Sequence, residues 1–277
     1  MGIELGLLGA HLREHEVDPA GAARLEEAGI GTLWLDASPP ADLAYAERLL
    51  AATTRLTVAT SVVNVWSAPA ATVAASYHRI AERYPERFLL GIGVGHREVD
   101  AAYASPYDTL AAYLDALRAA GVPRERIVLA ALGPRMLRLA GERAGGTVPC
   151  LVTPEHTRRA RELIGPDRLL LPGHFALLEP DPVAARALAR SGPPGTALAV
   201  TNYAANLRRL GYTDADLADT GSDRLIDALA LHGTAADILA GLAAHRAAGA
   251  DHVGIYPLGP DPVTTLCTLA AEARTHR

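Results

Sequence analysis

The strongest constraint on the fold is the stretch from Arg55 to His96, which combines two apolar runs, a helical segment and a glycine loop. The first run, residues 55–63, is rich in β-branched side chains, as expected of a strand buried on both faces. Residues 69–84 place apolar side chains at helical spacing, and Pro85 ends that helix. Residues 88–92 form a second buried strand. Together they predict a right-handed βαβ unit with parallel strands, whose carboxyl ends mark the ligand site.

The rest of the chain continues this alternation of short apolar strands and amphipathic helices, which indicates a parallel α/β sheet. Strands are predicted at residues 3–8, 32–35, 55–63, 88–92, 126–132, 147–152, 168–171 and 252–256, with a further strand near 175–178 or 197–200. From residue 180 the alternation weakens, and helices follow one another, the last of them at 223–231 before the pattern resumes. A length of 277 residues suits one (β/α)8 TIM barrel domain, residues 1–277, with an extra helical segment at about 180–230.

Composition excludes several classes of function. The formal net charge of −5 argues against nucleic acid or an anionic membrane surface as the main partner. All 26 basic residues are arginine, which excludes lysine Schiff-base and P-loop lysine chemistry. Cys150 and Cys267 show no metal-binding spacing and fit a reducing compartment. With no signal-peptide pattern and no apolar run of about 18 residues, we expect a cytoplasmic protein outside the membrane.

Five segments, quoted in chain order, carry a resemblance to a known family: TLWLDAS (32–38), TSVVNVW (60–66), RFLLGIGVGH (87–96), AALGPRMLRLAGERAGG (130–146) and AGADHVGIYPL (248–258). Their order and spacing resemble the bacterial luciferase-like superfamily, and more closely its branch of oxidoreductases that use coenzyme F420, a deazaflavin hydride carrier. The resemblance implies a TIM barrel with insertions, hydride exchange with a small organic substrate, and a homodimer.

The resemblance also implies where the cofactor binds. Thr60, Ser61 and Val62 match a bulge behind the deazaflavin ring that often contains a non-prolyl cis peptide, and Val94 of the glycine loop lies beside it. The turn Ala131-Leu132-Gly133 opens a helix, where unpaired backbone N–H groups favour an anion. In the family this turn holds the phosphate or ribityl chain of the cofactor. The alternatives from the residues alone are an ordinary strand and an ordinary turn.

Asp36 and His96 are the candidate acid–base residues, because hydride transfer needs one proton to be supplied or accepted. Relatives often have glutamate at the position of His96, and imidazole suits the role because its pKa of about 6.5 lies near working pH. Some relatives have histidine directly after the acid, where this chain has Ala37, a departure that argues against their sugar-phosphate substrate. A loop histidine and a helix-capping aspartate are the alternatives.

Four further side chains at predicted strand ends are candidates for the substrate side: His11, Asn64, Trp66 and His174. The alternative for each is a loop residue packed against its neighbours. His11 and His15 have the spacing of a helical metal pair, but no third ligand is evident, so no metal is predicted. Residues 202–206 with Arg208 and Arg209 resemble a segment of one subgroup of F420 enzymes. Three interpretations of this segment are open: a lid, a dimer contact or a solvated helix.

The sequence therefore predicts an F420-dependent oxidoreductase. Two other hypotheses are open: an FMN-dependent monooxygenase of the same superfamily, and a non-catalytic paralogue that binds the cofactor. The hypothesis of a non-catalytic paralogue rests on Ala37 and His96, which differ from the family at expected catalytic positions.

Overall fold

The computed structural model describes residues 3–98 and 105–275, and all strand pairs in these ranges are parallel. The strands are Leu8–Leu12 (β1), Thr32–Asp36 (β2), Thr57–Ser61 (β3), Val63–Asn64 (β4), Phe88–Gly93 (β5), Ile127–Leu129 (β6), Gly146–Thr147 (β7), Leu169–Leu170 (β8), Gly173–Leu177 (β9), Ala230–His232 (β10) and Val253–Pro257 (β11).

The sheet closes into a barrel through Gly173. Its strand order is β10-β9-β11-β1-β2-β3-β5-β6-β7-β8, and β4 also pairs with β5. The two ends of this order meet because β8 and β9 are consecutive in the chain, separated by two residues. Gly173 pairs with Gly254 of β11 on one side and with Cys150, just after β7, on the other. The predicted (β/α)8 barrel is confirmed, with β10 added outside the ring.

The helices alternate with the strands up to β9 and then follow one another, as the weakening of the pattern predicted. They are Pro19–Ala28 (α1), Ala44–Ala51 (α2), Ala70–Arg83 (α3), Pro106–Ala119 (α4), Pro134–Arg143 (α5), Pro154–Ile164 (α6), Pro182–Ser191 (α7), Pro193–Thr196 (α8), Thr201–Arg209 (α9), Asp214–Leu217 (α10), Asp223–Leu229 (α11), Ala235–Ala247 (α12) and Pro262–Thr275 (α13). Short 3₁₀ turns lie at Arg124–Arg126, Ala197–Ala199 and Ala218–Thr220.

Local sequence explains where many helices begin. The side chains of Asp18, Ser105, Thr153 and Asp181 each accept a hydrogen bond from a backbone N–H of the first turn, and proline follows each of them. A polar cap satisfies an unpaired helical N–H, and proline at the next position needs no such partner. This pairing places α1, α4, α6 and α7 at the positions that the sequence predicts.

Several boundaries predicted from the sequence differ from those in the structure. The first strand begins at Leu8, because Ile3 and Leu5 instead pack against the apolar cluster inside the barrel. Of the two positions open for a further strand, the one near 175–178 is confirmed as Gly173–Leu177, and residues 197–199 are a 3₁₀ turn instead. The helix predicted to reach residue 231 ends at Leu229, since the next residues pair with β9.

Two apolar layers hold the barrel together. The larger cluster fills the space between the sheet and the surrounding helices. A smaller cluster lies inside the barrel and contains Leu5, Trp34, Ala59, Leu89, Val128, Val148 and Leu171. A third, around Leu207, Leu225 and Phe175, attaches the helices after β9 to the barrel. Among the described residues, none of the helices has the length and apolar character needed to cross a bilayer.

Glycine makes room for large side chains within the barrel. A Cβ on Gly254 would lie 2.2 Å from Nε2 of His11, and a Cβ on Gly173 would lie 2.4 Å from Cε2 of Tyr256. Both rings belong to strands that form part of the barrel wall. The interior therefore depends on these two glycines to accept an imidazole and a phenol side by side.

We expect Gly254→Ala to lower the free energy of unfolding by about 2 kcal/mol, because the added methyl group overlaps the buried His11 ring. In a His11→Ala background the same change should cost at least about 1 kcal/mol less, since the clashing ring is gone. Urea denaturation of the four proteins of this double-mutant cycle measures both values. Equal costs in the two backgrounds would contradict the packing described.

Candidate functional site

Four polar side chains form the floor of the carboxyl end of the barrel, and a fifth covers them. Asp36 ends β2, Ser61 ends β3, Cys150 follows β7 and Tyr256 lies on β11. The hydroxyl oxygens of Ser61 and Tyr256 are 3.3 Å apart, and the Tyr256 hydroxyl also lies near the Cys150 thiol. Tyr203 of α9 reaches the same group, where it interacts with Asp36 and Cys150. We call these five residues the mouth cluster.

Aromatic and imidazole rings support the mouth cluster from below. The ring of Tyr256 stacks on His11, with centroids 3.9 Å apart, and also on Phe175 at 4.8 Å. His11 in turn stacks on Trp34 at 5.4 Å. Trp34 Nε1 donates to His252 Nε2 over 3.2 Å, so His252 carries its proton on Nδ1 and donates to the Gly6 carbonyl.

Asp36 fits the acid–base prediction in its position and its environment. Its side chain is 25% exposed, and one carboxylate oxygen lies 4.0 Å from Nε of Arg13. Burial raises the pKa of Asp36 to about 6, against smaller lowering effects of the Ala37 backbone N–H and of Arg13. The alternative of a helix-capping aspartate is wrong, because α2 begins only at Ala44 and Leu43 occupies its cap position. A carboxyl with this pKa exchanges protons near neutral pH.

His96 lies at the rim of the mouth, against the insertion helix α9. Its Nδ1 lies 3.2 Å from Oδ1 of Asn202, and its ring centroid lies 5.1 Å from that of Tyr203. Glu98 accepts hydrogen bonds from the backbone and hydroxyl of Thr201 at the start of α9, and these bonds, the hydroxyl first, lower its pKa to about 2. Tyr203 therefore lies beside His96 and within electrostatic range of Asp36.

The predicted bulge lies between β3 and β4. The Ser61–Val62 peptide bond is cis, as the resemblance implied. The Thr60 hydroxyl donates to the Gly91 carbonyl at 2.7 Å and accepts from the Gly91 N–H at 2.8 Å. Thr60 is fully buried, so its side chain fixes the bulge against β5 rather than facing the mouth. Val62 packs over Gly93, where a Cβ would lie 2.6 Å from Cγ2 of the valine.

Asn64, Trp66 and Val94 tie the bulge to the glycine loop. The Asn64 side-chain oxygen accepts from the Trp66 backbone N–H at 3.0 Å. The indole N–H of Trp66 donates to the Val94 carbonyl at 2.7 Å. All three residues are half-buried at the carboxyl end of the barrel, where the sequence predicted them.

The turn before α5 faces two polar side chains of α9. Gly133 is the N-cap of α5, and the preceding Leu132 carbonyl lies 2.9 Å from Nε2 of His156. Nη2 of Arg209 lies 3.6 Å from the position of a Cβ on Gly133 and 3.4 Å from Oδ1 of Asn206. In the described ranges, Nδ2 of Asn206 is buried and has no hydrogen-bond partner. We call Leu132, Gly133, Asn206 and Arg209 the anion seat. Ala131 itself is buried in the core, so only its backbone can contribute.

Two substrate-side predictions need correction. His11 lies within β1 rather than after it, and it is only 2% exposed beneath Tyr256. His174 points away from the mouth, because its Nδ1 lies 2.9 Å from Nε2 of His245 on α12. Nδ1 of His245 in turn contacts the Thr157 hydroxyl of α6 at 2.7 Å. Period-two alternation along β9 turns Phe175, and not His174, toward the interior.

Several residues of the site were not predicted from the sequence. Cys150 and Tyr256 lie at strand ends, so the rule that selected Asp36 also applies to them. Tyr203, Asn206 and Arg209 belong to α9, the segment for which the sequence left a lid, a dimer contact and a solvated helix open without assigning its residues to the site. Across the described residues, no group of three or more histidine, cysteine, aspartate or glutamate side chains is arranged to hold a metal ion.

We expect Asp36→Asn to stabilise the protein at pH 8 by on the order of 1–2 kcal/mol, because the native carboxylate is held ionised in a largely buried site. The folded pKa of Asp36 is about 6, above its ordinary value of 3.8, so ionisation lowers stability between about pH 4 and pH 6. At pH 4 the variant and the native protein should be nearly equal. Urea denaturation at both pH values tests this, and an equal or lower stability of the variant at pH 8 would contradict it.

We expect the His174–His245 pair to make the fold acid-sensitive. Burial lowers the pKa of His174 to about 4 and, with repulsion from His174 and His156, that of His245 to about 3. The unfolded chain titrates near 6.5, so the stability present above that pH falls as pH decreases toward 4. Between pH 7.5 and 5.0 the pair should account for more than about 1 kcal/mol. His245→Gln should reduce this loss, whereas the exposed His15→Gln should not; identical pH profiles would show the pair is not responsible.

Solved structures of the same fold include an F420-dependent secondary alcohol dehydrogenase in complex with an F420-acetone adduct (TM-score 0.75, 15% identity, 98% of each chain covered). They include the coenzyme F420-dependent tetrahydromethanopterin reductase from Methanopyrus kandleri (0.70, 14%, 99% of each chain). A third is the oxygenating constituent of 3,6-diketocamphane monooxygenase from Pseudomonas putida, in complex with FMN (0.66, 15%, 96% of each chain). At these identities the likeness shows the fold alone.

A comparison with curated protein sequences found no match. The model of one family, however, covers residues 19–252, from the first helix to the start of the last strand, and so includes the bulge, the glycine loop and the anion seat. The chain belongs to the luciferase-like monooxygenase family of oxidoreductases.

Proposed function

We propose that this protein is an F420-dependent oxidoreductase that exchanges a hydride between the deazaflavin and a small organic substrate. The observation that carries the proposal is the position of the anion seat relative to the mouth cluster. Ser61 ends β3, and Gly133 follows β6, with only β5 between these strands. Neighbouring strands lie about 4.8 Å apart, so roughly 10 Å separate the axes of the two strands that lead to these sites. An elongated cofactor with a planar ring at one end and a phosphate at the other suits such a pair.

The residues at each end fit the parts of this cofactor. Val62, Gly93 and Val94 provide an apolar, close-packed surface for a planar ring. At the other end, Gly133 begins α5, where unpaired N–H groups and the helix dipole favour a phosphate. Arg209 adds a cationic donor, and the buried Nδ2 of Asn206 has no partner among the described residues. Its unpaired N–H groups are donors that phosphate oxygens would satisfy.

We assign the proton that accompanies the hydride to side chains of the protein. When bound, a reduced deazaflavin supplies a hydride. Asp36 has a pKa of about 6 and exchanges protons readily at neutral pH. Nδ1 of His96 lies 3.2 Å from Oδ1 of Asn202, which orients the ring beside Tyr203. Tyr203 in turn interacts electrostatically with Asp36. These groups surround the mouth, where the substrate would meet the ring.

An FMN-dependent monooxygenase is the second candidate, because the neighbour of the same fold from Pseudomonas putida is described with FMN. Both cofactors have a tricyclic ring and a phosphate, so both suit the same two sites. Support for F420 comes from the motif resemblance in the sequence and from two structural neighbours that are described as F420-dependent. Direct binding separates the two candidates.

We expect the purified protein to bind F420 more tightly than FMN in parallel fluorescence titrations. Arg209→Gln should weaken binding about tenfold, because it removes a charged donor to the phosphate. The matched control is Arg208→Gln on the same helix, since Arg208 pairs with Asp214 at 2.8 Å and should change binding less than twofold. Stronger binding of FMN would move the assignment to the monooxygenase candidate, and binding of neither would reject both.

A further inference from the structure

The hydroxyl of Tyr256 is held in one place at the floor of the mouth. Its ring is fixed between His11 at 3.9 Å and Phe175 at 4.8 Å, both on strands of the barrel. Its oxygen lies 3.3 Å from the Ser61 hydroxyl and within hydrogen-bonding reach of the Cys150 thiol. A phenol with a fixed ring and a polar tip is a directional hydrogen-bond donor.

The surroundings of this hydroxyl disfavour a negatively charged ligand. Asp36 is the acidic group of the mouth cluster and interacts with Cys150, Tyr203 and Tyr256. Burial raises the pKa of the Cys150 thiol to about 12, so it stays neutral. The cation beside Asp36 is Arg13, whose side chain is 49% exposed and approaches from the surface at 4.0 Å. An anion on this floor would meet a carboxylate, whereas an uncharged polar group would meet donors.

From this geometry we propose that the mouth takes a small uncharged carbonyl or alcohol compound, whose oxygen hydrogen-bonds to Tyr256, and that Tyr256 is the residue that exchanges the proton with it. The proposal rests on the proposed hydride transfer and names its substrate class. It also changes the roles of the predicted acid–base residues. His96 orients the rim, and Asp36 serves as the group with which Tyr256 later re-equilibrates its proton.

Reduction of the carbonyl compound combines one hydride transfer with one proton transfer. The carbonyl carbon accepts a hydride, and the reduced deazaflavin that gives it up is oxidised by two electrons. The C=O π bond breaks, and its electron pair forms a new O–H bond with the proton of the Tyr256 hydroxyl. Tyr256 is left as phenolate and recovers a proton from solvent by way of Asp36. The product is an alcohol, and the reverse sequence oxidises it.

The protonation state of Tyr256 suits the role of a proton donor. Burial, followed by the nearby Cys150 and Asp36, raises the pKa of the phenol well above 10. The hydroxyl therefore remains protonated over the whole working range of pH. An alkoxide formed by hydride addition is more basic still, so it takes the proton as it develops. Ser61 and Cys150 hold the oxygen in place while this happens.

Binding of two ligands with the same shape tests the substrate class without any turnover. Isobutyramide is uncharged and isobutyrate is anionic at pH 7.5, and saturation-transfer NMR can measure the affinity of each. We expect isobutyramide to bind at least tenfold more tightly. Tyr256→Phe should weaken the binding of isobutyramide about fivefold, because one neutral hydrogen bond is lost. The same change should remove the red shift that the carbonyl stretch of isobutyramide shows on binding. Equal binding of both ligands, or an unchanged carbonyl stretch in the variant, would overturn the proposal.

Reduction of isobutyraldehyde by reduced F420 tests proton donation. Tyr256→Phe should lower kcat at least 100-fold, the scale of one general acid, while the dissociation constant of F420 stays within twofold. Tyr212→Phe is the control, because Tyr212 lies beyond the mouth under the guanidinium of Arg224. Two outcomes would contradict the proton-donor role of Tyr256. One is a kcat of Tyr256→Phe within threefold of the native value, and the other is a native protein that binds F420 but does not reduce the aldehyde. A native protein that binds isobutyramide at Tyr256 but binds no F420 would reject the proposed function and leave the substrate pocket standing.

Discussion

Four large rings packed inside the barrel support the floor of the mouth at its carboxyl end. His252, Trp34, His11 and Tyr256 form one column, and each ring contacts the next. Three glycines, Gly9, Gly173 and Gly254, provide the space, because a Cβ on any of them would lie within about 2.4 Å of one of these rings. Close-packed interiors tolerate such overlap poorly. The column ends at the Tyr256 hydroxyl, so the glycines of the barrel wall decide where the floor of the mouth lies.

The insertion helix α9 completes the site that the barrel begins. Its first turn is held by Glu98, and its Tyr203, a member of the mouth cluster, lies beside His96. Its last turn brings Arg209 to the N-terminus of α5. One short helix thus contributes to the proton-exchanging region and to the anion seat. Changes in α9 are therefore expected to affect cofactor and substrate together.

Burial sets the electrostatic character of the site. It raises the pKa of Asp36 to about 6 and keeps Cys150, Tyr203 and Tyr256 neutral. The charge of Arg209 and the unpaired N–H groups lie instead at the anion seat, outside this floor. The molecule thus separates a donor-rich cationic region from a polar region with a carboxylate, and this division supports both the proposed cofactor and the proposed substrate class.

Local chemistry in the sequence determined the parallel barrel, most helix starts and the main polar positions at the carboxyl ends of strands. Apolar runs, polar caps followed by proline, and the glycine loop act over a few residues, so they are readable without the fold. Asp36, Ser61 and the turn at Gly133 were found in this way. The cis peptide at Ser61–Val62 was expected only from the family resemblance.

Only the tertiary structure decided which side of a strand each residue faces and what lies across from it. No local pattern in the sequence distinguishes His174 from Phe175. His174 faces the helices and Phe175 faces the interior, because a single-residue shift reverses the direction of every side chain of a strand. Ile3 and Leu5 read as a strand, but they pack against the interior cluster of the barrel. Tyr203 lies near the carboxyl ends of strands, and Arg209 lies near the N-terminus of α5, all far away along the chain. Such contacts depend on how the whole ring closes, and no local pattern in the sequence encodes them.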